Sequence, residues 1–175
     1  MEQVILVDEQ DNEIGLMEKM EAHQKALLHR AFSVFIFNSK GEMLLHQRSL
    51  KKYHCGGLWT NACCSHPRKG ETILEAANRR LKEEMGMETS LTEIFSFTYK
   101  AAFDNGLTEH EFDHVLIGYY DGEAKPDHDE VEAYTWESMN KIEASAANEA
   151  TIYTPWFLIA FPKVHEWFKQ KNKAA

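Results

Sequence analysis

The sequence predicts a single α+β domain, a mixed β-sheet layered between helices, and three observations predict it. Short runs rich in β-branched and aromatic residues recur along the chain, with helical stretches interspersed among them. One segment, residues 71–85, carries a clear helical period. No internal repeat, low-complexity tract or Pro/Gly/Ser linker divides the 175 residues, a length that suits one domain with a substantial core.

Taken in order, residues 4–7 read as a short apolar strand ending at Asp8. Residues 18–28 read as mixed helix and loop. Residues 31–37 (AFSVFIF) are dense in strand formers, and Asn38-Ser39-Lys40-Gly41 separates them from a second strand, 42–48, so the two read as a hairpin. In 71–85, Leu74, Ala77 and Leu81 fall on one stripe, and Gly86 is a natural terminator. Residues 95–103 and 111–120 read as a second strand pair around Asp104-Asn105-Gly106, and 132–136 as another strand. The core is expected over about 4–156, and the chain closes with helical segments broken by Pro155 and Pro162, the last spanning 157–175.

Lysines and arginines number 19 against 28 acidic residues, a net charge of −9. That balance argues against nucleic acid as a partner, because no excess of cations exists to displace its counterions. A small anionic substrate then needs a local basic patch or a bridging metal. No apolar run approaches the length of a membrane span. The N-terminal MEQVILVDEQ lacks a basic start followed by a long apolar run, so no secretory signal is expected. Three cysteines, Cys55, Cys63 and Cys64, make an odd set with no disulfide framework, which points to the reducing cytoplasm. Monomer and homodimer both stay open.

His23, His29 and His66 are candidate metal ligands. Glu109 and Glu111 alternate across His110 in an expected strand, so their carboxylates project to one face. Together these five side chains could ligate one divalent ion, and mixed nitrogen and oxygen donors admit Mg2+, Mn2+ or Zn2+. Taken singly, each histidine is more often an ordinary surface or core residue than a ligand, in a chain that holds nine. Arg80 and Glu84 share one edge of the helix. They make either an ordinary ion pair or an edge suited to a diphosphate with its Mg2+. Arg48, Lys51 and Lys52 add cations that could serve the same anion or lie on the surface.

The stretch from Ser65 to Met87 resembles the Nudix box through Glu71, Arg79, Leu81, Glu83, Glu84, Gly86 and Met87. Ser65 stands where the box has its first glycine, and Arg80 replaces the glutamate that follows the arginine. In hydrolases of that superfamily this glutamate helps bind the metals that activate water. Residues 59–67 (WTNACCSHP) are similar to a signature of type I isopentenyl-diphosphate isomerases, and Glu109-His110-Glu111 to that family's Glu-x-Glu. His23, His29-Arg30-Ala31-Phe32, Arg48 with Lys52, Tyr99 and Thr154-Pro155-Trp156 extend the likeness over nearly the whole chain.

The resemblance implies a Nudix-like fold and metal-dependent interconversion of isopentenyl and dimethylallyl diphosphate, a reaction of isoprene biosynthesis. It implies that Cys64 and Glu111 are the proton-transfer pair on opposite faces of the double bond. Tyr99 would hydrogen-bond the glutamate, and Trp156 would lie beside the developing carbocation. His23, His29, His66, Glu109 and Glu111 would bind the catalytic metal. Glu84 would hold a diphosphate-bound Mg2+, aided by Lys19, Arg48, Lys52 and Arg80. These residue types suit the chemistry: protonating an unactivated alkene puts a full charge on carbon, which needs a site closed to water and a π face nearby. Cys63 points away from Cys64, so one of the two is expected to pack, and Cys55 reads as structural. Two alternatives remain, a Nudix hydrolase of a nucleoside diphosphate derivative and a noncatalytic metal-binding module.

Overall fold

In the computed structural model, residues 1–174 are described and form a mixed nine-stranded sheet with helices on both faces. The elements follow the chain as β1 (Gln3–Val7), β2 (Glu13–Glu18), α1 (Lys19–Gln24), β3 (His29–Phe37), β4 (Glu42–Arg48), β5 (Trp59–Thr60), β6 (Cys63–Ser65), α2 (Ile73–Met85), β7 (Thr92–Ala102), β8 (Thr108–Tyr119), β9 (Val131–Ser138), α3 (Met139–Asn148) and α4 (Pro155–Ala174). A 3-10 turn, Ala150–Ile152, joins α3 to α4.

β3 is the axis of the sheet. Along one edge it pairs in parallel with β8, from His29 opposite Glu111 to Phe37 opposite Tyr119. Along the other edge it meets three partners in turn: β1 at His29, β6 over residues 32–34, and β4 at Phe37. The expected 31–48 hairpin therefore closes only at its turn. Asn38 Oδ1 caps that turn by accepting from the Lys40 and Glu42 amides. Past it, β4 departs to pair with β9, and the gap so opened admits β6. This splay opens the side of β3 that faces the site.

Side chains alternate across the sheet. Phe32, Val34 and Ile36 face α2, where they bury Ala76, Ala77, Leu81 and Met85 in one core cluster. Phe35 and Phe37 face the other way, into a cluster with Ile142 of α3 and Trp156, Phe157, Phe161 and Val164 of α4. The two clusters are the layers on either side of the sheet, as the sequence predicts.

Several boundaries differ from the expectation. β2 was not foreseen: its sequence, EIGLME, does not alternate cleanly, and it is an edge strand that exposes Ile14 to 67%. β5 and β6 are too short to signal themselves. α2 begins at Ile73 rather than at 71, because Thr72 caps it through a reciprocal bond pair with Glu75. Leu74 lies on the apolar stripe but in the first turn, and is 45% exposed. Pro155 opens α4, yet Pro162 does not break it; Phe161 and Val164 hold the helix to the core while Pro162 faces solvent. Among the described residues, no helix is long and apolar enough to cross a membrane.

Candidate active site

The site grows from the residues where β3 meets its neighbours. His29 opens β3 with its ring fully buried, and its Nδ1 lies 2.8 Å from the Leu27 carbonyl. His23, one turn along α1, holds its Nδ1 2.6 Å from the Lys19 carbonyl. A carbonyl only accepts, so each Nδ1 carries the proton and each Nε2 presents a lone pair. Both Nε2 atoms are buried and lack a hydrogen-bond partner. His66 follows β6, and its Nε2 lies 2.9 Å from Glu111 Oε1; His29 Nε2 lies 3.6 Å from the same oxygen. One donor atom from each of His23, His29, His66 and Glu111 falls within 4.8 Å of all the others.

Two orphaned imidazole nitrogens aimed at a third imidazole and a carboxylate would be a costly arrangement in a dry interior unless something bound them. Backbone carbonyls that fix the tautomer of ligating histidines are the usual support of a metal site. The donor set thus fits a divalent ion. Burial lowers His23 and holds His66 at about 4, so both imidazoles stay neutral, the form that ligates. Burial alone would raise Glu111, but the hydrogen bond from His66 and the proximity of His29 hold it well below the usual carboxylate range.

Glu109 lies outside this convergent set. Its carboxylate contacts His54 Nε2 at 2.6 Å and accepts from the Tyr99 hydroxyl at 2.9 Å. Tyr99, opposite Glu111 across β7 and β8, also reaches Glu111 Oε2 at 2.6 Å. A phenol has one proton, so the two carboxylates share a single donor.

The segment 59–66 ties the sheet to the helix beside the site. Thr60 Oγ1 accepts from the Trp156 indole and from the Thr154 hydroxyl, both at 3.0 Å, and so docks α4 onto the site. Asn61 spends its amide on the Val34 and Cys63 carbonyls, tying β6 to β3. Cys63 and Cys64 then alternate. Cys63 is fully buried on the α2 side, while Cys64 stands opposite Ser33 on the face of the site. Burial and the nearby carboxylates of Asp113 and Glu111 push the Cys64 thiol far up, so it keeps its proton at physiological pH. Cys55 packs against the α4-side core, and burial raises its thiol to about 11.

Cys64, Glu111, Glu109, His66, Tyr99 and Trp156 all line one cavity of about 350 Å3. Lys19, Arg48, Lys52, Arg80 and Glu84 line the same cavity. The Arg48 guanidinium lies 5.2 Å from the Trp156 ring centre, and Lys19 is 3.1 Å from Glu2. Lys52 pairs with Glu130 and Arg80 with Glu84. Lys51 is instead paired with Asp129, with most of its side chain in solvent. Sequence reasoning missed Ser33, Asp113 and Glu130; it marked His54-Cys55-Gly56-Gly57 as a site loop without giving His54 a role. Asp113 extends the period of 109 and 111 by one step and was legible in principle. Ser33 is hidden inside an apolar run, and nothing local marks Glu130.

Fold and motif define a class: the chain matches the NUDIX domain over residues 27–157. The fold is that of a Deinococcus radiodurans protein, DR0079, with a TM-score of 0.76 at 21% identity, covering 93% of this chain and 98% of that one. A MutT protein of Methanosarcina mazei superposes with a TM-score of 0.66 at 24% identity, over 83% and 96% of the two chains. Within that class, the isopentenyl-diphosphate Delta-isomerase of Photobacterium profundum is 51% identical over 162 residues, 89% of this chain and 90% of its own. That of Serratia proteamaculans is 48% identical over 157 residues, 90% of this chain and 88% of its own. The chain belongs to the isopentenyl-diphosphate Delta-isomerase family.

Proposed function

We propose that the chain interconverts isopentenyl diphosphate and dimethylallyl diphosphate, with Cys64 and Glu111 as the proton-transfer pair. The observation that carries this reading is their placement. They reach one cavity from opposite edges of β3, Cys64 on β6 and Glu111 on β8. One adds a proton to the terminal methylene carbon, leaving positive charge on the tertiary carbon. The other removes a proton from the neighbouring carbon, which re-forms the double bond one position along. The reverse reaction exchanges the roles.

The remaining side chains make that path feasible. Trp156, 3% exposed, lines the cavity and offers a π face to the cation. Tyr99 fixes the Glu111 carboxylate by hydrogen bond. His23, His29, His66 and Glu111 would hold a divalent ion, and Glu109 would join them by exchanging its bond to His54. Such an ion would supply positive charge that orients Glu111 and tunes its acidity. A nitrogen-rich set suits Mn2+ or Zn2+ better than Mg2+, which prefers oxygen donors. Mg2+ fits Glu84, which would meet it on a diphosphate gripped by Lys19, Arg48, Lys52 and Arg80. Three free thiols suit a reducing cytoplasm, where we place the protein.

The hydrolase alternative is less well supported. Arg80 occupies the position of a metal-binding glutamate and neutralises Glu84 instead, and hydrolysis has no need of Cys64. Cys64→Ala and Glu111→Gln should each lower isomerisation by roughly a thousandfold with the far-UV dichroism unchanged. Near-normal turnover by either folded variant would remove that residue from the mechanism.

A further inference from the structure

Beneath Cys64 lies a buried polar pair that the proton-transfer scheme leaves unused. Ser33 is 2% exposed and Asp113 is 1% exposed, and the Ser33 hydroxyl donates to Asp113 Oδ2 at 2.7 Å. Ser33 Oγ also lies 3.4 Å from Cys64 Sγ. Strand register puts the three together: Ser33 stands opposite Cys64 across β3 and β6, and Asp113 stands opposite Ala31, two residues from Ser33, across β3 and β8. Three strands thus contribute one polar side chain each to a single face.

The direction of each bond follows from counting protons. Ser33 has one, and Asp113 holds it, so toward Cys64 the hydroxyl offers only lone pairs. The second neighbour of the thiol is Asn61 Oδ1 at 3.3 Å. Asn61 has its amide nitrogen committed to two carbonyls, so this oxygen is fixed facing the sulfur. Both neighbours accept, and the S–H is held as a donor between them.

We propose that Ser33 and Asp113 are positioning residues for Cys64. At rest they fix the rotamer of the thiol. When Cys64 gives its proton to carbon, the Ser33 O–H turns from Asp113 to the thiolate, so the new sulfur anion gains a hydrogen-bond donor in a buried site. No covalent bond of Ser33 changes; only its hydrogen-bond partner does. When a proton returns to sulfur, Ser33 turns back to Asp113. A pair serving only to satisfy itself would need no third contact to the sulfur.

This inference rests on the isomerase reading, and its test separates the two. Ser33→Ala, Ser33→Thr and Asp113→Leu would be assayed for kcat and KM with isopentenyl diphosphate. The infrared S–H stretch of Cys64 would be assigned by difference against Cys64→Ala. Ser33→Ala should lower kcat roughly 10- to 100-fold with KM nearly unchanged, and move the S–H band toward that of a free thiol. Asp113→Leu should move the same band, because Ser33 is then free to rotate. Ser33→Thr, which keeps the hydroxyl, should restore most of kcat. A folded Ser33→Ala with unchanged kcat and an unmoved band would overturn the proposal, as would lost stability with both readouts intact. A band that moves in a protein whose wild type does not isomerise would overturn the isomerase reading and support the hold on the thiol.

Discussion

Buried imidazoles divide here into two kinds, and their surroundings tell them apart. His23, His29 and His66 converge, while His46 stands apart with its Nδ1 on the Ala62 carbonyl at 3.1 Å. Burial holds His46 neutral down to about 4, against 6.5 for a free imidazole. Its folded pKa is depressed, so the unfolded chain binds the proton first as pH falls. Stability is fully present above pH 6.5 and is lost as pH drops toward 4, by about 3 kcal/mol for this group. Urea unfolding of wild type and His46→Asn between these limits should therefore give a shallower pH slope for the variant. Equal slopes would mean that His46 is protonated in the folded protein. At this scale the sequence was most informative about side chains with distinctive chemistry. The three convergent histidines, Cys64 and Glu111 were singled out by motif, and the fold brings them to one place. Ser33 was not, because a serine inside AFSVFIF reads as an interruption until the strand opposite it is known.

At the scale of elements, α2 illustrates how a motif is held in place. Thr72 closes a capping box with Glu75, and Gly86 ends the helix at φ 64°. A Cβ there would lie 2.8 Å from the Lys125 carbonyl oxygen. Thr72→Ala should cost about 1 kcal/mol in chemical denaturation. Gly86→Ala should cost more, since it adds backbone strain to that contact. The reverse order would show that the cap, rather than the close approach to residue 125, limits the helix. Helix α2 was legible because its period and terminators are local. The hairpin expected over 31–48 was right only at its turn, because a turn signal fixes where the chain reverses but not how far the strands stay paired. Pro162 misled for a similar reason: propensity set a break that packing against the sheet overrides.

At the scale of the molecule, the sheet brings residues from positions 19 to 156 around one cavity, and this convergence is what no local pattern could reveal. The two layers were foreseeable from the mixture of strands and helices; the splay of β3 between β6 and β8 was not, since it depends on pairings far apart in sequence. If the convergent histidines bind a divalent ion only when folded, the ion stabilises the whole domain. Free Mn2+ or Zn2+ at a hundred times its dissociation constant should then raise stability by about 2.7 kcal/mol over the chelated protein. Thermal unfolding of His23→Ala/His29→Ala should lose that response. An equal response in the double variant would place the ion elsewhere.

The most direct test of the proton-transfer account is to incubate the protein with isopentenyl diphosphate and Mg2+ in D2O and follow the NMR spectrum, beside a chelator-treated control. Metal-dependent appearance of deuterated dimethylallyl diphosphate is the result expected. Release of inorganic phosphate or pyrophosphate with no isomer formed would contradict the account and favour hydrolysis.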